Sequence, residues 1–288
     1  MKTSNKQKNS GPKIFGIIGD PIGHTLSPAM HNKAFQKLKI PAAYLPFHIK
    51  TEELKTFFKK AKQWGLLGFN VTIPHKETCI PFLKKVSAEA KNIGAVNTVI
   101  LKNGHWQGDN TDGRGYLKSL VLETGIRLLN KRIVILGSGG AARAVLYALA
   151  QKRPKHITVV NRTFEKAAAL TQEFSKKFPK TYFEALPMEG EAFSLSFPDT
   201  DLLINTTSLG LKGTRIKLPL KILPKAAIVS DLVYRPLKTD LLKQAQRLKL
   251  KTHTGIGMLL YQGALAFEQW THRKAPITTM KKALLDAL

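Results

Sequence analysis

The stretch Arg132-Ile133-Val134-Ile135-Leu136-Gly137-Ser138-Gly139-Gly140-Ala141-Ala142-Arg143-Ala144-Val145 decides the fold. Residues 133–136 form a continuous apolar run, the pattern of a strand buried on both faces of a parallel sheet. A glycine-rich turn ends the run, and Ala144, Val145, Ala148 and Leu149 then recur at helical spacing until Pro154. A second apolar run, residues 157–160, predicts the next strand. Strand, glycine turn, helix and strand within about thirty residues make up the unit that binds dinucleotides.

In Gly137-x-Gly139-x-x-Ala142 each small residue has a physical role. Gly137 permits the tight turn, Gly139 lets backbone approach a pyrophosphate, and Ala142 lets the helix pack closely on the strand. Ser138, Gly140 and Ala141 share the turn, where the opening of the helix directs free N–H groups at phosphate. The following strand ends in Asn161-Arg162-Thr163, with Lys166 one turn further on. An NAD site commonly places Asp or Glu here to hold the ribose 2′-hydroxyl. A guanidinium instead attracts a 2′-phosphate and can stack on adenine, so the cofactor expected is NADP(H).

The pattern continues on both sides. Residues 14–18 read as a buried strand, and Ser27-Pro28 as a helix N-cap followed by proline at the first helical position. Met30, Ala34, Phe35 and Leu38 supply that helix with a core-facing stripe. A strand over 43–49 precedes a helix from Thr51, with Glu52 and Glu53 in its first turn. Its stripe is Leu54, Phe57, Phe58, Ala61 and Trp64, with Gly65 to close it. Beyond the glycine unit, residues 202–205 and 227–232 read as strands and 257–270 as a final helix. Alternating strands and helices predict the α/β class with parallel sheet.

Composition bounds the rest. The 288 residues are comfortable for two domains, and 43% hydrophobic content is enough to build their cores. No apolar run reaches the roughly 18 residues of a membrane span. Met1 to Lys13 reads as a polar tail rather than a secretory signal. A lone cysteine, Cys79, supports neither an internal disulfide nor a zinc cluster, so a reducing, cytoplasmic setting is expected. Lys plus Arg is 46 against 19 for Asp plus Glu, a formal charge of +27. The lysines are scattered, without an arginine-rich block, so no specific nucleic-acid partner and no membrane partner is expected. Adhesion to polyanions should be non-specific and confined to low salt.

Five further motifs carry dense polar signals: Gly19-Asp20-Pro21-Ile22-Gly23-His24-Thr25-Leu26-Ser27-Pro28, Asn70-Val71-Thr72-Ile73-Pro74-His75-Lys76, Gly94-Ala95-Val96-Asn97-Thr98, Gly108-Asp109-Asn110-Thr111-Asp112-Gly113 and Gly255-Ile256-Gly257-Met258-Leu259-Leu260-Tyr261-Gln262-Gly263. They fall at strand ends or loop starts, where open α/β sheets form ligand crevices. They supply amides, hydroxyls, a lysine and an aspartate, without an obvious metal-ligand set. Such an inventory suits a small, polyhydroxylated, anionic ligand. His24, His31 and His75 are read as structural.

Taken in this order, with the glycine turn and Asn161-Arg162-Thr163 interposed, these motifs resemble the shikimate dehydrogenase family from about residue 13 to residue 270. The resemblance implies a discontinuous α/β substrate domain with a mainly parallel sheet, residues 1–111 plus 253–288. Into it is inserted a Rossmann-like NADP domain, residues 112–252, with the cleft between the two. It implies NADP-dependent interconversion of 3-dehydroshikimate and shikimate in aromatic amino-acid biosynthesis, by a monomer or homodimer acting on small molecules. Lys76 and Asp112 look like the catalytic pair. Reducing a ketone places negative charge on oxygen, so a cation or proton donor beside that oxygen lowers the barrier.

By the same resemblance Thr25, Ser27 and Tyr234 hold the substrate carboxylate, and Asn70, Thr72, Asn97 and Gln262 surround the ring hydroxyls. The family usually has serine where this chain has Thr25. Met258 resembles the residue beside the nicotinamide, and Thr206, Leu232 and Gly255 complete the implied cofactor set. Two other readings remain open: a quinate/shikimate dehydrogenase with relaxed substrate or cofactor use, and a non-catalytic binding protein on the same scaffold. The missing acidic residue after the second strand argues against the first, and retention of both Lys76 and Asp112 against the second.

Overall fold

The computed structural model describes residues 11–212 and 218–288. Most of the expected amino-terminal tail, residues 1–10, lies outside the described residues. The first half of the chain runs β1 (Lys13–Gly19), α1 (Ser27–Lys37), β2 (Ala42–His48), α2 (Leu54–Gln63), β3 (Leu66–Val71), α3 (His75–Thr78), β4 (Lys85–Val86), α4 (Ala88–Ile93), β5 (Thr98–Lys102) and β6 (His105–Asp109). Its strands form one sheet in the order β2-β1-β3-β5-β6-β4. β1 pairs in parallel with β2 and β3, while β5 runs antiparallel to both neighbours.

After α5 (Asp112–Thr124) comes β7 (Arg132–Leu136), α6 (Gly140–Ala150), β8 (His156–Asn161), α7 (Phe164–Lys177), β9 (Tyr182–Pro187), α8 (Glu191–Leu195), β10 (Leu202–Asn205), β11 (Leu209–Lys212), β12 (Ile228–Asp231), α9 (Asp240–Arg247) and β13 (Lys251–His253). The second sheet has the order β13-β12-β10-β7-β8-β9 and is parallel throughout. The last elements are α10 (Gly255–Thr271) and α11 (Ile277–Asp286).

The apolar run at β7 is continuous because both of its faces are covered. Ile133 and Ile135 enter one core cluster with α5, α6 and α7, and Val134 and Leu136 enter another with Phe193 and Leu241. β1 repeats the arrangement: Phe15 and Ile17 pack with α1 and α10, Ile18 with α2. The helix α10 serves both sheets. Met258 in its first turn lies in the core of the second sheet, whereas Leu260, Ala264, Phe267 and Trp270 belong to that of the first.

Several local expectations are corrected. Leu26, not Ser27, caps α1, no side chain caps it, and the Ser27 side chain is buried instead. A single 3₁₀ turn, Thr51–Glu53, precedes α2. Trp64 stands 48% exposed at the C-cap of α2, outside the core stripe, because the helix has ended there. α10 starts at Gly255, two residues earlier than expected, and is followed by α11, so it is not the final helix. The β5–β6 hairpin turns at Asn103-Gly104, both at positive φ, a turn signal that the sequence reading passed over.

Candidate active site

Lys76 reaches the site on α3, the short helix just past β3, and Asp112 is the first residue of α5. Lys76 Nζ donates to Asp112 Oδ2 at 2.5 Å, with the two side chains 13% and 5% exposed. Asn97 Nδ2 donates to the other carboxylate oxygen at 2.7 Å, to Thr111 Oγ1 at 3.0 Å and to Gln262 Oε1 at 3.3 Å. Asn97 Oδ1 accepts from the Thr111 amide at 2.8 Å and from Thr98 Oγ1 at 2.9 Å. Residues 97–98, 111–112 and 262 are thus joined by one buried amide, whose partners fix its orientation, and Lys76 is joined to them through Asp112.

A second group of hydroxyls surrounds Tyr44. Its O–H donates to Asn70 Oδ1 at 2.7 Å. Burial pushes the Tyr44 phenol well above its usual range, a hydrogen bond with Ser27 acts the other way, and Tyr234 is a further neighbour that raises it. Thr25 Oγ1 accepts from the Ser27 amide at 3.3 Å. Asn70 Nδ2 donates to the Asn97 carbonyl at 3.1 Å and to Thr98 Oγ1 at 3.3 Å, so both ends of the Asn70 amide are engaged by the protein. Thr72 is half-buried, and its amide donates to the Ile18 carbonyl at 2.9 Å. Tyr44 had no motif around it and escaped the sequence reading.

The glycine turn lies against Lys76 and Thr206. Gly137 has φ +107, and a Cβ on it would press on Thr206 Oγ1 and Thr207, so only glycine fits there. Thr206 Oγ1 donates to the Leu136 carbonyl at 2.6 Å. A Cβ on Gly140 would stand 3.1 Å from Lys76 Cβ, so the opening of α6 packs on the catalytic candidate itself. Ser138 and Ala141 are half-buried in this turn, and at Gly139 the space a Cβ would take is open. At the end of β8, Asn161 Nδ2 donates to the Thr163 carbonyl at 2.9 Å. Arg162, Thr163 and Lys166 are exposed there. Gly255 packs against the Leu232 carbonyl, and Met258 is buried with Leu232 packed against the same cluster.

One buried carboxylate went unnoticed. Asp231 accepts from Asn205 Nδ2 at 2.9 Å, Thr239 Oγ1 at 2.6 Å and the Val233 amide at 3.0 Å. Burial raises its pKa, against those hydrogen bonds. It ties the ends of β10 and β12, next to Thr206, Leu232 and Tyr234; its place at a strand end was the available signal. His31 and His75 are fully buried, and His75 Nε2 lies 2.6 Å from the Ile49 carbonyl. Among the described residues no group of three or more His, Cys, Asp or Glu is arranged to hold a metal ion. No described helix is long and apolar enough to cross a membrane.

Comparison with known proteins matches this arrangement. Residues 17–99 fit the model of the shikimate dehydrogenase substrate binding domain, 120–195 that of shikimate/quinate 5-dehydrogenase, and 255–285 that of the shikimate 5′-dehydrogenase C-terminal domain. A shikimate dehydrogenase (NADP(+)) of Methanococcus maripaludis strain S2 is 43% identical, covering 97% of this chain and 99% of its own. The Thermus thermophilus shikimate 5-dehydrogenase, solved with NADP(H) and shikimate, is 38% identical with a TM-score of 0.85, covering 96% of this chain and all of its own. A quinate dehydrogenase of Corynebacterium glutamicum, solved with NAD, has a TM-score of 0.87 at 27% identity, over 96% of this chain and 99% of its own. With two open sheets, a lysine–aspartate pair between them and kinship over nearly its whole length, this chain belongs to the shikimate dehydrogenase family.

Proposed function

We propose that the protein catalyses the NADP-dependent, reversible reduction of 3-dehydroshikimate to shikimate. The observation that carries the reading is the buried Lys76–Asp112 pair at 2.5 Å, packed against Gly140 of the nucleotide turn. We read residues 1–111 with 253–288 as the substrate unit and 112–252 as the nucleotide unit. We also read the chain as a cytoplasmic monomer or homodimer whose partners are small molecules.

The residues present fit the cofactor. The open backbone at Gly139 and the amino end of α6 suit a pyrophosphate, and exposed Arg162 and Lys166 suit a 2′-phosphate. We assign Ser138, Gly140, Ala141, Asn161, Thr163 and Thr206 to the same cofactor, together with Leu232, Gly255 and Met258. When bound there, NADPH would supply the hydride for the carbonyl carbon, and NADP⁺ would accept it in the reverse direction.

Lys76 places its ammonium as proton donor at the carbonyl oxygen, where negative charge develops. Asp112 holds Lys76 by one oxygen and is itself held by Asn97 through the other, so the pair is oriented before substrate arrives. In the oxidative direction the same pair receives the hydroxyl proton. Thr25, Ser27 and Tyr234 take the substrate carboxylate. Asn70, Thr72, Asn97 and Gln262 meet the ring hydroxyls.

Initial rates of NADP reduction with shikimate test the reading, alongside quinate and NAD. Turnover with shikimate and NADP, and much slower rates with the other pairings, is expected. Folded protein that binds NADPH but turns over none of them would remove the assignment, and faster quinate oxidation with NAD would replace it.

A further inference from the structure

The last four carbonyls of a helix have no partner within it. In α4 the amide of Gly94 takes those of Ala90 and Lys91, at 2.9 and 3.2 Å. The other two are taken by side chains from the helices of the second sheet. Lys177 Nζ of α7 donates to the Asn92 carbonyl at 2.7 Å, and Arg143 Nε of α6 donates to the Ile93 carbonyl at 2.5 Å. Glu173 holds both cations: Arg143 Nη2 donates to its two oxygens at 2.8 and 2.7 Å, and Lys177 donates to Oε1 at 2.6 Å. The Phe174 ring lies 5.7 Å from the Arg143 guanidinium carbon and 5.2 Å from Lys177 Nζ.

What these cations grip leads straight to the chemistry. Beyond Ile93 the chain runs Gly94-Ala95-Val96-Asn97. The Val96 amide donates to the Lys76 carbonyl at 2.7 Å, and Asn97 holds Asp112. At its other end Arg143 belongs to the first turn of α6, where its amide donates to the Gly139 carbonyl at 3.0 Å. One side chain therefore ties the nucleotide turn to the loop that steadies Lys76 and Asp112. The planar fork of arginine lets it engage a carbonyl and a carboxylate at once, which an ammonium does less well.

We propose that Arg143, seconded by Lys177, is a positioning residue that sets Lys76 and Asp112 in register with the cofactor-binding end of α6. Proton and hydride transfer demand that alignment, and a misplacement of about 1 Å can cost on the order of a hundredfold in rate. The inference rests on Lys76 and Asp112 being the catalytic pair, an assignment that Lys76→Ala tests separately.

The experiment is Arg143→Met, read by kcat at saturating substrates, the KM for shikimate, and the NADPH Kd from fluorescence titration. A fall in kcat of roughly ten- to a hundredfold is expected, with shikimate KM and NADPH Kd within about threefold of the parent, since only alignment is lost. Arg143→Lys should recover part of the rate. An unchanged kcat, or a loss mirrored by an equal rise in NADPH Kd, would overturn the proposal. If Arg143→Met does not fold, Lys177→Met reads the same clamp: a smaller fall in kcat at unchanged NADPH affinity supports it, and parity with the parent overturns it. Normal turnover by Lys76→Ala would instead remove the assignment beneath the inference, whatever Arg143→Met does.

Discussion

Asn97 Nδ2 lies 2.7 Å from Asp112 Oδ1, on the side of the carboxylate opposite Lys76. The amide comes from the start of the β5–β6 hairpin and the carboxylate from the helix after it, so the two sides of that hairpin are locked together at the site. Because Asn97 Oδ1 also accepts from the buried Thr111 amide, Asn97→Ala strands a donor as well as freeing Asp112. A stability loss of about 1–3 kcal/mol is expected in urea unfolding, together with a clear fall in kcat. Full activity and an unchanged midpoint would show that neighbours replace the amide.

Lys76→Ala removes the proton donor while leaving the nucleotide turn in place. kcat should fall by roughly 10²- to 10⁴-fold, with the NADPH Kd within about threefold of the parent. Near-normal turnover in steady-state assays would take Lys76 out of the mechanism.

Arg162 is exposed at the end of β8, so its removal should not disturb the core. Arg162→Ala should raise the KM for NADPH by about ten- to a hundredfold, the worth of a hydrogen bond to a charged group, and leave that for shikimate within about threefold. Equal rises in both constants would mean that the residue acts through folding.

Burial drives the His31 pKa down to about 3, while the ring stacks on Tyr44 with centroids 4.3 Å apart. Neither ring nitrogen has a partner among the described residues. The unfolded chain takes up a proton near pH 6.5 that the folded chain refuses, so stability is full above that value and falls as pH drops towards 3. By about pH 4.5 the loss from this group is on the order of 2–3 kcal/mol. His31→Phe keeps an aromatic ring and removes the titration, so its urea midpoint should fall less between about pH 7 and pH 4.5. Parallel falls in both proteins would refute the assignment.

Much of the fold was legible because burial leaves a periodic signature. The run at 133–136 reads as a strand covered on both faces, and Ile133 and Val134 indeed face separate cores. The glycine turn was legible for a local reason: Gly137 sits at φ +107 against Thr206, where no other side chain fits. Short elements left weaker signals. β4 has two residues, and Asn103-Gly104 marked a hairpin that no apolar periodicity announced. The Ser27-Pro28 pattern misled because Ser27 turns towards Tyr44, a long-range preference that outweighs local capping.

Motif order alone was enough to identify the family, and residue type was enough to suggest what Lys76 and Asp112 do. Their meeting was not legible, since 36 residues separate them and only the approach of α3 to α5 brings Nζ within 2.5 Å of Oδ2. Nor was the cross-sheet grip of Arg143 on Ile93, fifty residues away, since each residue stands just outside a motif. Periodicity and turn chemistry act over a few residues and are written locally. Hydrogen bonds between distant side chains depend on how two sheets and the helices α5 and α10 pack, and only the folded chain decides that.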